Sequence, residues 1–258
     1  MRRPLIWLLV IMVSVAITIV AFYPASWMAS ALEARTDGRF TLADAQGTVW
    51  RGSGLLGGAP SRNEPVTQLL PGRFSWQLSP MLLLGTVDLL VENPQALTRP
   101  LLITGGWSEW QVGPEAITLP AERLAGLGAP LNTIAPTGQM ILSWEQLRLV
   151  RQGNRFEVRG PMTLDMLEVA SQLSSIRPLG TYRMRFDWQG QQAQLALETV
   201  RGPLLLSGTG RMGNGQFQFS GKAEAEAGQE EALANLLNLL GQRRKEGDKN
   251  VIGLELRQ

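Results

Sequence analysis

The sequence predicts a mostly β protein: a single N-terminal transmembrane helix, then a curved antiparallel meander sheet, groove-like or sandwich-like, with one or two short helices. Two observations carry that prediction. Leu5 through Phe22 run without a charge, directly after Arg2 and Arg3. From Arg39 onward the texture changes to short apolar stretches punctuated by Gly, Pro and Asn, several of them alternating strictly between apolar and polar residues, as half-buried strands do.

The apolar run comes first. At about 1.5 Å rise per residue it spans roughly 27 Å as a helix, close to the ~30 Å hydrocarbon core of a bilayer. It exceeds the 7–15 residue core of a signal peptide. The paired arginines place residues 1–4 in the cytoplasm, residues 5–24 in the membrane and residues 25–258 on the far side. Leu5 and Trp7 at one end, and Phe22, Tyr23 and Trp27 at the other, suit the two interfaces. Ser14, Thr18 and Ala21 share one face that could pack against another helix. A rival reading, a cleaved signal, rests on the small-x-small box Ala29-Ser30-Ala31, which lies far beyond Phe22 for such a site.

After the span, Ala25 to Arg35 is rich in Ala and Leu and is expected to prolong the helix before the Asp37-Gly38 turn. Phe74, Trp76 and Leu78 alternate as a strand. Pro120 to Leu127, with Glu122 near its start and Gly128 after it, suits a short helix. Met140, Leu142 and Trp144 share one strand face; Leu147 and Leu149 resume the alternation after a one-residue phase shift at Glu145-Gln146, which predicts a bulge. Gly153-Asn154 turns that strand back into Phe156 and Val158. Tyr182, Met184, Phe186 and Trp188 alternate with Arg183, Arg185 and Asp187, and Gln189-Gly190 turns them into Leu195, Leu197 and Thr199. Phe217 and Phe219 mark a shorter strand. Glu230 to Leu240 sets Leu233, Leu236, Leu237 and Leu240 at helical spacing, acids leading and Gly241 with Arg243, Arg244 and Lys245 trailing. The leucine face suits docking on the sheet or, alternatively, filling a partner's groove.

Composition excludes much chemistry. The chain has no cysteine, so disulfide, thiolate, iron–sulfur and Cys-zinc chemistry are absent. It has no histidine, which removes the usual general base and the commonest transition-metal ligand. Its three lysines, Lys222, Lys245 and Lys249, sit in no Ser-x-x-Lys setting. No catalytic residue, cofactor or metal site is assigned. A net charge of +2 without a basic, aromatic-interleaved run gives no case for nucleic acid.

Ala45-Gln46-Gly47-Thr48-Val49-Trp50-Arg51-Gly52-Ser53-Gly54, some twenty residues beyond the apolar run, has the form A-x-G-T-[apolar]-W-x-G-x-[GA]. Gly72-Arg73-Phe74-Ser75-Trp76 through Leu82-Leu83-Leu84-Gly85, Leu119-Pro120-Ala121 through Leu124, Leu127-Gly128-Ala129-Pro130-Leu131-Asn132, Thr137-Gly138-Gln139-Met140 and Leu236-Leu237-Asn238-Leu239-Leu240-Gly241 follow in order. Together these segments resemble the general secretion pathway protein N family of type II secretion systems. The resemblance implies a non-enzymatic, single-pass protein of the bacterial inner membrane, its body in the periplasm. It would help assemble the platform that exports folded proteins through the outer-membrane secretin. Implied partners are the inner-membrane proteins L, M and C and the secretin. Candidate docking residues are Gly47, Trp50 and Gly52 in the first block and Leu233, Leu236, Leu237 and Leu240 in the helix.

Two rivals compete. One is a membrane-anchored periplasmic lipid-binding or transfer groove of AsmA-like type, lined by Met81-Leu82-Leu83-Leu84, Leu89-Leu90-Val91 and Leu204-Leu205-Leu206. The other is a carboxylate hydrolase using pairs such as Glu109 with Glu115 or Asp165 with Glu168, whose chemistry needs two carboxylates about 5–10 Å apart in a cleft. Ser53 between glycines resembles a nucleophile elbow, but no histidine can serve it as base.

Overall fold

The computed structural model describes residues 2–59, 65–127, 131–153, 155–213, 216–246 and 249–257. It opens with a helix, α1 (Arg2–Ala21). The side chains described there begin at Ile6, so Leu5, within the helix, has its side chain outside the described set. The described stretch of α1, Ile6 to Ala21, thus falls short of a bilayer span, and among the described residues no helix is long and apolar enough to cross a membrane. From Ile6 to Val20 the large apolar side chains of α1 are exposed around the helix, and Thr18 satisfies its hydroxyl on the Ser14 carbonyl, 2.9 Å away.

The expected continuation past Pro24 is corrected. α1 ends before Phe22, and a second helix, α2 (Ser26–Arg35), starts after a break in which Pro24 bridges to Thr48. Proline lacks the N–H that a continuous helix would need. The Ala29-Ser30-Ala31 box lies inside α2. Asp37 and Gly38 both take positive φ, 53° and 77°, making the turn that the sequence marks.

The body is one open antiparallel sheet of seventeen strands among the described residues. The sandwich-like alternative is thereby corrected, since all strands join a single ladder. Its first part runs β1 (Phe40–Gly47), β2 (Arg51–Gly58), β3 (Thr67–Gln68), β4 (Phe74–Leu78), β5 (Val87–Glu92), β6 (Leu101–Gly105), β7 (Glu109–Val112) and β8 (Glu115–Pro120). β1 pairs with β2; β3 and β4 share the other edge of β2; β4 to β7 then meander in sequence. A 3-10 turn, Pro80–Leu84, joins β4 to β5.

Residues 121–127 form the expected short helix, as a 3-10 helix, followed by one helical turn, α3 (Leu131–Ile134). Gly128, Ala129 and Pro130 lie outside the described residues. The 3-10 helix packs on the next strand, β9 (Pro136–Trp144), where Gly138 N donates to Glu122 Oε1 at 3.2 Å, and Arg123 Nη1 donates to the Gln68 carbonyl at 3.0 Å, closing it over the end of β3. Two more strands follow: β10 (Leu147–Gln152) and β11 (Arg155–Ser171). β11 pairs along one edge with β10 and then β9, and along the other with a single strand, β12 (Gly180–Gly190). Trp144 faces Met162 and Arg148 faces Arg159, so β9 and β10 together carry one residue more than β11 between those pairs. That is the bulge read at Glu145-Gln146. Gly160 sits opposite at φ 129°, where a Cβ would lie 2.7 Å from the Gln146 carbonyl oxygen. β7 and β8 break at the same level, around Gly113-Pro114, and Trp144 Nε1 donates to the Gly113 carbonyl at 2.8 Å across the break. A bulge bends its strand and sharpens its twist, so the sheet turns along this line.

From β12 the meander resumes through β13 (Gln192–Arg201), β14 (Leu204–Gly213) and β15 (Gln216–Ala225). Tyr182 and Leu195 are buried while Arg185, Asp187, Gln194 and Glu198 are exposed, as the alternation requires. The β12–β13 turn falls on Gly190-Gln191, one residue later than read, with Gln189 facing Gln192. Asn154, in the preceding turn, lies outside the described residues. Burial pushes the Tyr182 phenol up, and its hydroxyl donates to the Leu204 carbonyl at 3.0 Å, so the ring stays neutral in the core.

The last helix, α4 (Glu230–Leu240), has the boundaries read from the leucine spacing, with Glu230 and Glu231 in its first turn. Two strands close the chain, β16 (Gln242–Glu246) and β17 (Lys249–Arg257), with β17 pairing both β15 and β16. The trailing Arg243, Arg244 and Lys245 therefore belong to a strand and not to the helix end. Leu233 and Leu236 are buried against Leu179, Leu204, Ala223 and Ile252, with Leu237 and Leu240 packed around them. Removing most of a fully buried leucine costs about 2–5 kcal/mol, whereas changes at exposed positions stay within about 0.5 kcal/mol. Leu233→Ala, 0% exposed, should accordingly lower unfolding stability by an amount in the first range; Leu239→Ala, 68% exposed on the opposite face, should leave it nearly unchanged in denaturant titration.

Candidate functional site

The first glycine-rich block forms the hairpin joining β1 to β2, and that hairpin grips the end of α1. Gly47 takes φ 85°, and a Cβ there would lie 2.5 Å from the Arg51 carbonyl oxygen. The turn closes as Thr48 N donates to that same oxygen at 2.8 Å. Three hydrogen bonds then tie it to the segment leaving the helix. Trp50 Nε1 donates to the Val20 carbonyl at 2.7 Å, Val49 N to Tyr23 O at 2.9 Å, and Ala25 N to Gly47 O at 3.1 Å. Val20 lies in the last helical turn, whose carbonyls lack regular helical partners; its oxygen accepts from Tyr23 N at 3.4 Å, and the indole adds a shorter bond.

The other side of the hairpin is held by β4. Trp76, buried, donates through Nε1 to the Val49 carbonyl at 3.1 Å, and Leu78 N to Trp50 O at 2.7 Å. Gly52 leaves the room that the Trp76 ring occupies; a Cβ there would strike the ring and sit 2.7 Å from Gln46 O. One extra residue in β1 makes a second bulge, between Ala43 and Gln46, with Asp44 at φ 49°. Arg73 pins it, donating to the Asp44 carbonyl at 2.9 Å, to Ser53 Oγ at 3.2 Å and to the Asp44 carboxylate. The Gln46 amide, and after it Arg73, hold the Asp44 carboxyl below its ordinary value. Ser53 Oγ thus accepts from a guanidinium and has no base beside it among the described residues.

The remaining candidates are placed apart. Gly47, Trp50 and Gly52 come together, but against the chain's own helix and β4. Leu233, Leu236, Leu237 and Leu240 serve the core beneath α4. Trp7 and Phe22 are 68% and 72% exposed, and the Tyr23 and Trp27 rings meet at 5.3 Å beyond the helix end. The carboxylate pairs separate: Glu109 bonds Arg148 at 2.5 Å, Asp165 bonds Arg183 at 2.6 Å and Glu168 bonds Arg201 at 3.2 Å. Glu115, buried, accepts from the backbone N–H groups of Thr98, Arg99 and Ala116, which fastens the loop before β6 to β8. Of the three apolar runs proposed as one lipid groove, one parts from the others: Leu204 and Leu206 belong to the core under α4, whereas Leu83 of the first 3-10 turn and Leu90 of β5 line one groove beside α1. Arg73, Trp76 and the Tyr23 carbonyl were not singled out from sequence as parts of this junction. In the sequence Trp76 shows only as one residue of an alternating strand, which gives no sign of its bond to Val49.

The geometry defines a helix held by its C-terminal end in the edge hairpin of an open β-sheet. Residues 38–251 match the family model for the type II secretion system (T2SS), protein N, and the chain belongs to that family. It is thus a component of the secretion apparatus, whose partners are other components of that system. Among curated proteins and among solved structures nothing matches significantly. The match does not favour the lipid-transfer alternative.

Two changes probe the junction. Trp50→Phe keeps the ring and removes the donor, so it should cost about 0.5–1.5 kcal/mol in unfolding of the full chain. Gly52→Ala should cost more, because both the Trp76 ring and fixed backbone must move. The Asp44 carboxyl is depressed in the fold, so its contribution is present at neutral pH and fades as pH falls through the carboxylate range. Asp44→Asn should flatten the acid limb of the stability–pH curve.

Proposed function

We propose that the protein is a non-enzymatic scaffold of the bacterial inner membrane: α1 spans the bilayer with its N-terminus in the cytoplasm, and the sheet stands in the periplasm. There it helps assemble the platform through which folded proteins reach the secretin, with the inner-membrane proteins L, M and C as neighbours. The observation that carries this reading is the junction. A helix whose large apolar side chains face outward is joined to the sheet by shared hydrogen bonds at Trp50, Val49 and Ala25. A mere tether would need no such fixed geometry; a scaffold that must present its surface at a set height and angle does.

Further support comes from the charge-free run Leu5 to Phe22 behind Arg2 and Arg3, and from the Phe22, Tyr23 and Trp27 cluster at its outer end. Exposed groups suited to docking are Leu239 on the outer face of α4 and the edge strand β1, where Phe40 is 38% exposed. Sheet edges bind partners through unpaired backbone groups.

Protease added to intact spheroplasts should digest the sheet; protection until lysis would refute the topology. Photocrosslinkers at Leu239 and Phe40 in cells should trap other secretion subunits, and trapping of lipid alone would refute the scaffold role.

A further inference from the structure

The turn Pro80–Leu84 is an apolar surface without a cover. Met81, Leu83 and Leu84 are 54%, 58% and 79% exposed, and Leu102 and Trp107 nearby are 45% and 63% exposed. This exposure is built in. Ser79 caps the turn by accepting from Met81 N at 3.3 Å, Gly85 ends it at φ 97°, and Thr86 N returns to Met81 O at 3.1 Å. The Trp107 indole lies directly on Gly85, where any Cβ would strike it. Neither Ser79 through Val87 nor Leu101 through Ser108 contains a charge.

The turn also sits beside α1. Pro80 and Leu83, with Leu90 and Leu102 from β5 and β6, line one side of an open groove of about 1020 Å³; Ala16, Ile17, Val20 and Ala21 of α1 line the other. Residues 16 to 21 cover roughly 7–8 Å of helix axis. Amphipathic elements lying on a bilayer bury their apolar faces to about 5–10 Å, and Trp is enriched at that level.

We propose that the Pro80–Leu84 turn, with Trp107 beside it, is a second membrane contact: it rests in the interfacial layer of the bilayer that holds α1, and acyl chains fill the groove between them. This rests on the anchor reading above. A lipid surface is the occupant because the exposed turn is continuous with the outward face of α1, matches the depth of its last turns and carries no charge; Arg51 and Asp88, which also line the groove, are the charged groups that a lipid headgroup would meet there. Trp50 lines the same groove, so its hydrogen bond to Val20 and this membrane contact would act together on how the sheet sits against the helix.

The absence of cysteine allows single-site labelling of the full chain. Leu84→Cys, Val13→Cys and Gln194→Cys, each carrying an environment-sensitive nitrobenzoxadiazole label, would be reconstituted into phosphatidylcholine vesicles with brominated acyl chains. Both the Leu84 and Val13 labels should lose about half or more of their emission, and the Gln194 label, exposed on β13, should not change. Quenching at Val13 but not at Leu84 would overturn the second contact and leave the anchor standing. No quenching at Val13 would overturn both. A blue-shifted but unquenched Leu84 label would mean that a second copy covers the turn, and would overturn the proposal as well.

Discussion

Backbone hydrogen bonding along a single antiparallel ladder governs everything after Phe40, and β11 is the strand on which that ladder depends. Its seventeen residues pair with β12 on one edge and with β10 and then β9 on the other. A strand so shared must absorb any mismatch in register. It does so opposite Gly160, where the β9–β10 side carries the additional residue, and near Glu168, which takes φ 50° where the pairings with β12 and β9 both shift. Without those irregularities the sheet would run flatter and its two halves could not share one strand.

A single layer has two faces and needs covers. Here they are small and local: α4 over the β14–β15–β17 end, the 121–127 turn over β9 and the end of β3, and α2 against β1. The tryptophans contribute in a way that simple core filling does not describe. Trp50, Trp76 and Trp144 each donate an indole N–H to a backbone carbonyl where regular pairing stops, at Val20, Val49 and Gly113. Each buries apolar area and satisfies a carbonyl that the ladder leaves open.

Much of this was legible in the sequence because it depends on local period. The strand faces at Tyr182 to Trp188 and at Met140 to Trp144, the bulge at Glu145-Gln146 and the α4 boundaries all follow from alternation or helical spacing within a dozen residues. Contacts between distant segments were not legible. Nothing local says that Trp50 reaches Val20, that Arg73 reaches Asp44, or that β17 inserts between β15 and β16. The break at Pro24 was written in the chain, but an Ala- and Leu-rich stretch after it has helix propensity either way, and only the bridge to Thr48 decides that a second helix starts there. The leucines of α4 look identical from sequence whether they face a sheet or a partner; burial on Ala223 and Ile252 distinguishes them.

The lock between α1 and the β1–β2 hairpin couples the two mechanically. Because the Trp50, Val49 and Ala25 hydrogen bonds leave no free linker between them, a tilt of the helix would carry the first hairpin with it, and the strands paired beyond that hairpin would follow through the ladder.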